Sequence, residues 1–73
     1  MPTKKEIALK KFGRHVKYIR QQKNLTQIDV SSAMGKDQQS LQRVESGNIN
    51  PSLFYLIELA AALKVTLKEL MDF

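Results

Sequence analysis

The sequence predicts an all-α fold: a single domain over residues 1–73, built from five short helices. Three observations lead there. Apolar residues recur at the three-and-four spacing of a helix face, and no stretch alternates with the period of two that a half-buried strand needs. A Ser, Thr or Asp suited to cap a helix stands before each run. The breakers are few, 3 Gly and 2 Pro, and they read as boundary residues between the helices.

Helix 1 opens at the T-x-x-E box of Thr3 and Glu6, in which each side chain bonds the other residue's backbone N–H. Its apolar positions are Leu9, Phe12, Val16 and Ile19, and Lys23 and Asn24 end it. Thr26 is the expected N-cap of helix 2, Gln27 to Met34, with Asp29 in the first turn where the helix dipole favours an anion. Gly35 breaks the pattern. Asp37 is the next N-cap, and helix 3 runs from Gln38 to about Ser46, with Gly47 as a left-handed C-terminal cap. The loop Asn48-Ile49-Asn50-Pro51 leads to Ser52, which caps helix 4. Helix 4 sets Leu53, Leu56, Ile57, Ala60 and Leu63 on one face. Thr66 and Glu69 form a second T-x-x-E box and open helix 5, with Leu67, Leu70 and Met71.

Composition narrows the function. A domain of 73 residues buries a small core, so a subunit interface would add stability. The absence of cysteine removes disulfides, thiolate nucleophiles and zinc-thiolate sites, and fits a reducing compartment. No apolar run is long enough for a membrane span, and the basic start MPTKKE leads into no signal-peptide core. His15 is the single histidine and has no partner set for metal binding or catalysis. Glu6, Asp29, Asp37 and Glu69 stand at helix starts, where capping accounts for them. No phosphate-binding Gly loop or nucleophile motif is present. The expectation is a non-enzyme without metal or cofactor. With 12 Lys and Arg against 7 acids, the formal charge of +5 favours a polyanionic partner.

One segment concentrates that chemistry. Only Gly35, Lys36 and Asp37 separate helices 2 and 3, and a Gly-containing turn of this length between short helices is a helix-turn-helix, here about residues 27–46. Val30, Ala33 and Met34 would face Leu41 and Val44 across the turn, with the small Ser31 allowing close approach. Packing through Leu41 and Val44 leaves Gln38, Gln39, Gln42 and Arg43 outside. A solvated helix face is usually a Lys and Glu mixture; this one is mostly amides. In a DNA major groove Gln pairs bidentately with adenine and Arg with guanine, and the first turn of the inserted helix lies nearest the bases.

The stretch QIDVSSAMGKDQQSLQRVESG resembles the helix-turn-helix of the Cro/repressor-like (Xre-type) DNA-binding family. FGRHVKYIRQQKNLTQ resembles the family's first helix and its lead into the second, and NPSLFYLIELAAALKVTLKEL its fourth and fifth. The likeness spans about Leu9 to Met71. It is carried by an ordered set: Arg20, Leu25-Thr26-Gln27, Gly35, Glu45-Ser46-Gly47 and Asn50-Pro51-Ser52.

The resemblance implies a compact five-helix lambda-repressor-like DNA-binding domain. It implies base contacts from Gln38, Gln39, Gln42 and Arg43, and backbone contacts from Gln27, Ser40, Ser46, Asn48 and Asn50. It also implies an Arg20–Glu45 ion pair bracing helix 1 against helix 3. Lys36 replaces an apolar turn residue and is expected at a phosphate. Ile28 stands where polar residues are common. Phe54 and Tyr55 replace polar residues at the start of helix 4 and suggest a buried interface. Phe54, Ile57, Met71 and Phe73 are therefore the expected dimer contacts, although Ile57 and Met71 suit a core position equally well. Lys4, Lys5, Lys10, Lys11, Arg14 and Lys17 read as a solvated face of helix 1, with Lys23 nearer the DNA.

The expected function is a sequence-specific transcriptional regulator of bacterial or phage type, a repressor or controller in the cytoplasm, associated with the nucleoid. It would bind double-stranded DNA at a palindromic operator as a homodimer, with RNA polymerase as a candidate protein partner. The alternative is a protein-interaction or antitoxin-like module of the same fold.

Overall fold

Five side-chain caps set the five helix starts. Thr3, Thr26, Asp37, Ser52 and Thr66 each accept the backbone N–H three residues on, at 2.9–3.1 Å, satisfying a donor that has no partner within its helix. The computed structural model describes Met1–Phe73 and contains α1 (Lys4–Gln22), α2 (Gln27–Ala33), α3 (Gln38–Glu45), α4 (Leu53–Leu63) and α5 (Leu67–Leu70), with no strand. At Thr3, Thr26 and Thr66 the bond is returned: Glu6, Asp29 and Glu69 accept the N–H of the capping residue. Those backbone bonds hold the Asp29 and Glu69 carboxyls below their usual pKa values. Gly35 and Gly47 take the left-handed conformation after α2 and α3, with φ of 67° and 74°.

Every helix contributes to one core: Phe12 and Val16 from α1, Val30 from α2, Leu41 and Val44 from α3, Leu59, Ala60 and Leu63 from α4, and Leu70 from α5. Here α4 departs from the expected face. Leu59 is fully buried, while Leu53 is 67% and Ile57 47% exposed. The buried stripe is Leu56, Leu59, Ala60 and Leu63, again at three-and-four spacing. The apolar first turn of α4 projects beyond it. Ala33 is likewise exposed, leaving Val30 and Met34 to meet the core.

Gly13 corrects the reading of glycine as a boundary. It lies buried in the middle of α1, where α1 crosses the end of α3. A Cβ there would stand 2.4 Å from Glu45 O and 2.5 Å from Val44 O. Gly47 makes the matching approach from the α3 side, since its Cβ would lie 2.8 Å from Lys10 Cγ and 2.9 Å from Lys10 Cα. At Gly13 the approach is to bare backbone of α3, and at Gly47 it is to the backbone and inner side chain of Lys10. The chain terminus folds back on the same stretch of α1. The Phe73 ring lies 5.4 Å from that of Phe12 and 6.1 Å from that of His15, and His15 Nε2 is 2.9 Å from Glu69 O. No helix is long and apolar enough to cross a membrane.

Candidate nucleic-acid interface

The register of α3 follows from its two buried residues. With Leu41 and Val44 turned inward, the helical repeat sends Gln39, Gln42 and Arg43 to the opposite side and leaves Gln38 and Ser40 on opposite flanks. Gln39, Gln42 and Arg43 line an open polar hollow with Ser46 and Asn48, and no apolar residue takes part. Ser46 Oγ donates to Gln42 O at 2.8 Å, which ties the C-cap to the last turn. The hollow thus presents three amides, a guanidinium and a hydroxyl, the donor and acceptor types that suit base edges and phosphates.

Behind α3 stands a buried ion pair. Arg20 Nε donates to Glu45 Oε2 at 2.7 Å and Arg20 Nη2 to Oε1 at 3.0 Å, with the two side chains only 10% and 5% exposed. The carboxylate raises the Arg20 pKa above its ordinary value, chiefly through these hydrogen bonds. Arg20 Nη1 also donates to Leu25 O at 2.9 Å, so one guanidinium holds α1, the loop before α2 and the end of α3. Losing one partner of such a pair costs about 3–5 kcal/mol, because the other charge stays buried. Gln27, the first residue of α2, extends the arrangement: its Nε2 donates to Glu45 Oε1 at 3.0 Å and its Oε1 accepts from Gln38 Nε2 at 3.2 Å.

Other expected contacts are placed elsewhere. Lys36 and Ser40, read from the sequence as phosphate contacts, are both turned toward α4. Lys36 Nζ lies 3.5 Å from Glu58 Oε1 and 5.8 Å from the centre of the Tyr55 ring. Ser40 Oγ donates to Asp37 O at 3.2 Å and lies 3.5 Å from the Tyr55 hydroxyl. Tyr55, half-buried, is the reason for both, and burial pushes its phenol pKa up. Lys36 therefore ties the turn to α4 through its ammonium, which stands over a ring and reaches an acid. Lys23 Nζ donates to Lys64 O at 3.2 Å, at the α4 C-cap. Asn50 is separated from Asn48, lining an apolar cleft with Leu9, Phe12, Pro51, Leu56, Met71 and Phe73. Phe54 is 67% exposed, and Ile57, Met71 and Phe73 are exposed as well.

Two features escaped the sequence reading. The bridge from Gln27 to Glu45 joins residues far apart in the chain and leaves no local pattern. Gly13 did leave one, since an isolated Gly inside a helical run implies a packing reason.

Comparison with known proteins agrees with this geometry. Residues 16–70 match the family described as Helix-turn-helix. The chain is 40% identical over 62 residues to the uncharacterized HTH-type transcriptional regulator y4dJ of Sinorhizobium fredii, covering 85% of this chain and 80% of that protein. Among solved structures, the restriction-modification controller protein C.AhdI from Aeromonas hydrophila superposes with a TM-score of 0.82 at 35% identity, over 85% of this chain and 94% of that one. The clp gene regulator ClgR from C. glutamicum shares the fold, with a TM-score of 0.83 at 18% identity, over 97% of this chain and 87% of that one. With its matching segment running from within α1 to the end of α5, the chain belongs to the Cro/repressor-like (Xre-type) helix-turn-helix family of DNA-binding transcriptional regulators.

Proposed function

We propose that this protein controls transcription by occupying a palindromic operator as a homodimer, as a repressor or controller. Each α3 enters the major groove of one half-site, with half-site centres about 34 Å apart. The observation that carries the reading is the polar hollow of Gln39, Gln42, Arg43, Ser46 and Asn48, held outside the buried Leu41 and Val44. Gln39, Gln42 and Arg43 read base edges, with Gln38 reading from the flank. Gln27, Ser46 and Asn48 meet phosphates, and Asn50 does so from the rim. Lys36 and Ser40 brace the turn against α4 instead, in keeping with their contacts to Glu58, Asp37 and Tyr55.

The dimer forms through Phe54 and Ile57 of α4 with Met71 and Phe73. Their exposure as large apolar side chains supports this. Regulation by exclusion, or by contact with RNA polymerase, follows from where the operator lies. The likeness to a restriction-modification controller favours the controller role, and the site of action is the nucleoid.

A salt titration on random duplex DNA tests the reading. The logarithm of the binding constant falls linearly with the logarithm of salt concentration, with a slope of about −0.9 per phosphate contacted. Failure to bind at low salt would leave the protein-interaction module as the function of this fold.

A further inference from the structure

The side of α1 that meets α3 carries unpaired positive charge. Successive residues of a helix turn by about 100°. Gly13 faces the α3 backbone, and Lys10 and Arg14 stand about 60° and 100° round the helix from it. Both are exposed. Lys17 continues the line one turn on, whereas Lys4 and Lys11 lie on the far side, about 180° and 160° from Gly13. The two ion pairs of the chain are Arg20–Glu45 and Lys36–Glu58. The one acid of α1, Glu6, is engaged by Thr3. No carboxylate therefore neutralises Lys10 or Arg14. Gly47 sets this ridge beside the polar hollow. A Cβ at Gly47 would stand 2.8 Å from Lys10 Cγ, so the Lys10 stem lies against the residue that joins Ser46 to Asn48, and both of these line the hollow.

We infer that Lys10 and Arg14 form a further phosphate site on α1, which grips the DNA backbone beside the groove that α3 enters. This rests on the DNA-reading role of α3 proposed above and adds contacts that read no sequence. Both residues precede residue 16, where the family match begins. The charge balance calls for such a site. The phosphate contacts proposed above, Gln27, Ser46, Asn48 and Asn50, are all neutral, and the hollow holds a single cation, Arg43. Lys36 is engaged by Glu58 and Lys23 by Lys64 O. Release of counterions from a duplex needs cations at its phosphates, and the free ones nearest the hollow are on α1. Lys10 and Arg14 lie about 6 Å apart along the helix, a separation that long side chains fit to two phosphates of one strand. Arg14 can offer a phosphate two parallel N–H donors, and Lys10 a point charge. Gly47 permits the arrangement, since any Cβ there would drive the Lys10 stem aside.

The test is the salt dependence of binding to a random-sequence duplex. It is measured for the whole protein, for Lys10→Gln with Arg14→Gln, and for Lys4→Gln with Lys11→Gln. Each double variant removes two charges from α1, and glutamine keeps the Cγ that packs on Gly47. Thermal unfolding is read in parallel to establish that both variants are folded. In the first variant the slope of log K against log salt is expected to become shallower by about 1.8 for each chain bound, at about 0.9 per phosphate. In the second it stays near that of the unaltered protein. Selection from a random duplex pool returns one motif for all three, because phosphate contacts carry no sequence information. Equal changes of slope in the two variants would overturn the site, since charge on α1 would then act as a diffuse field wherever it stands. So would an unchanged slope in the first variant, or the loss of a base preference there. If the unaltered protein binds no duplex at low salt, the DNA-reading role itself fails and takes the site with it, a result distinct from the others because it appears before any substitution.

Discussion

Leu41 and Gln42 are neighbours in the chain, yet the first is wholly buried and the second faces solvent. That contrast makes the roles of single residues separable by experiment. Gln39→Ala removes a side chain from the polar hollow and none from the core, so it should cost about 1–3 kcal/mol at the specific operator and leave binding to random duplex nearly unchanged. Competition binding on the two DNAs measures this, and equal losses on both would move Gln39 from the bases to the backbone. The outward set was legible in the sequence because the spacing of Leu41 and Val44 alone decides which residues of α3 remain outside. The directions of Lys36 and Ser40 were not legible. They are decided by Tyr55 and Glu58 on α4, and a local pattern carries no information about a partner supplied by another helix. Gln27 was likewise read through its place at a helix start, whereas Glu45 and Gln38 determine how its amide is turned.

At the scale of elements, α1 and α3 depend on two missing side chains. Gly13→Ala would force a methyl group to within 2.4 Å of Glu45 O and 2.5 Å of Val44 O. Both obstacles are backbone, so the helices must separate, and the Arg20–Glu45 geometry would loosen with them. The expected destabilisation is about 1–3 kcal/mol or more, despite the better helix propensity of alanine. Urea denaturation reads it as a lower midpoint with an unchanged slope, and a neutral result would mean that this crossing is free to shift. Helix starts were readable because a cap acts within three residues of itself, as all five do here. The Thr26–Asp29 box escaped as a box only because its acid is the shorter Asp. The buried stripe of α4 was harder. LFYLIELAAAL is apolar nearly all round, so its own periodicity cannot choose between Leu59 and Ile57, and the choice falls to the neighbouring helices.

The whole molecule has two unlike surfaces, one polar around α3 and one apolar at Leu53, Phe54, Ile57, Met71 and Phe73. If the second joins two copies, occupancy of an operator depends on both half-sites being held at once. Phe54→Asp should then shift a sedimentation profile toward monomer and weaken operator binding by about 100-fold or more, because the second half-site is no longer delivered by the first. A dimer that persists unchanged would place the subunit contact elsewhere on the surface. The division within α3 has a further consequence in evolutionary time. Leu41 and Val44 answer to stability, while Gln39, Gln42 and Arg43, outside the core, would on the proposed reading answer to the operator. A lineage can therefore exchange its DNA address one substitution at a time without passing through a genotype that fails to fold. Gln38 differs from these three in being hydrogen-bonded through Gln27 to Glu45 of the ion pair, so a substitution there also unties an internal contact.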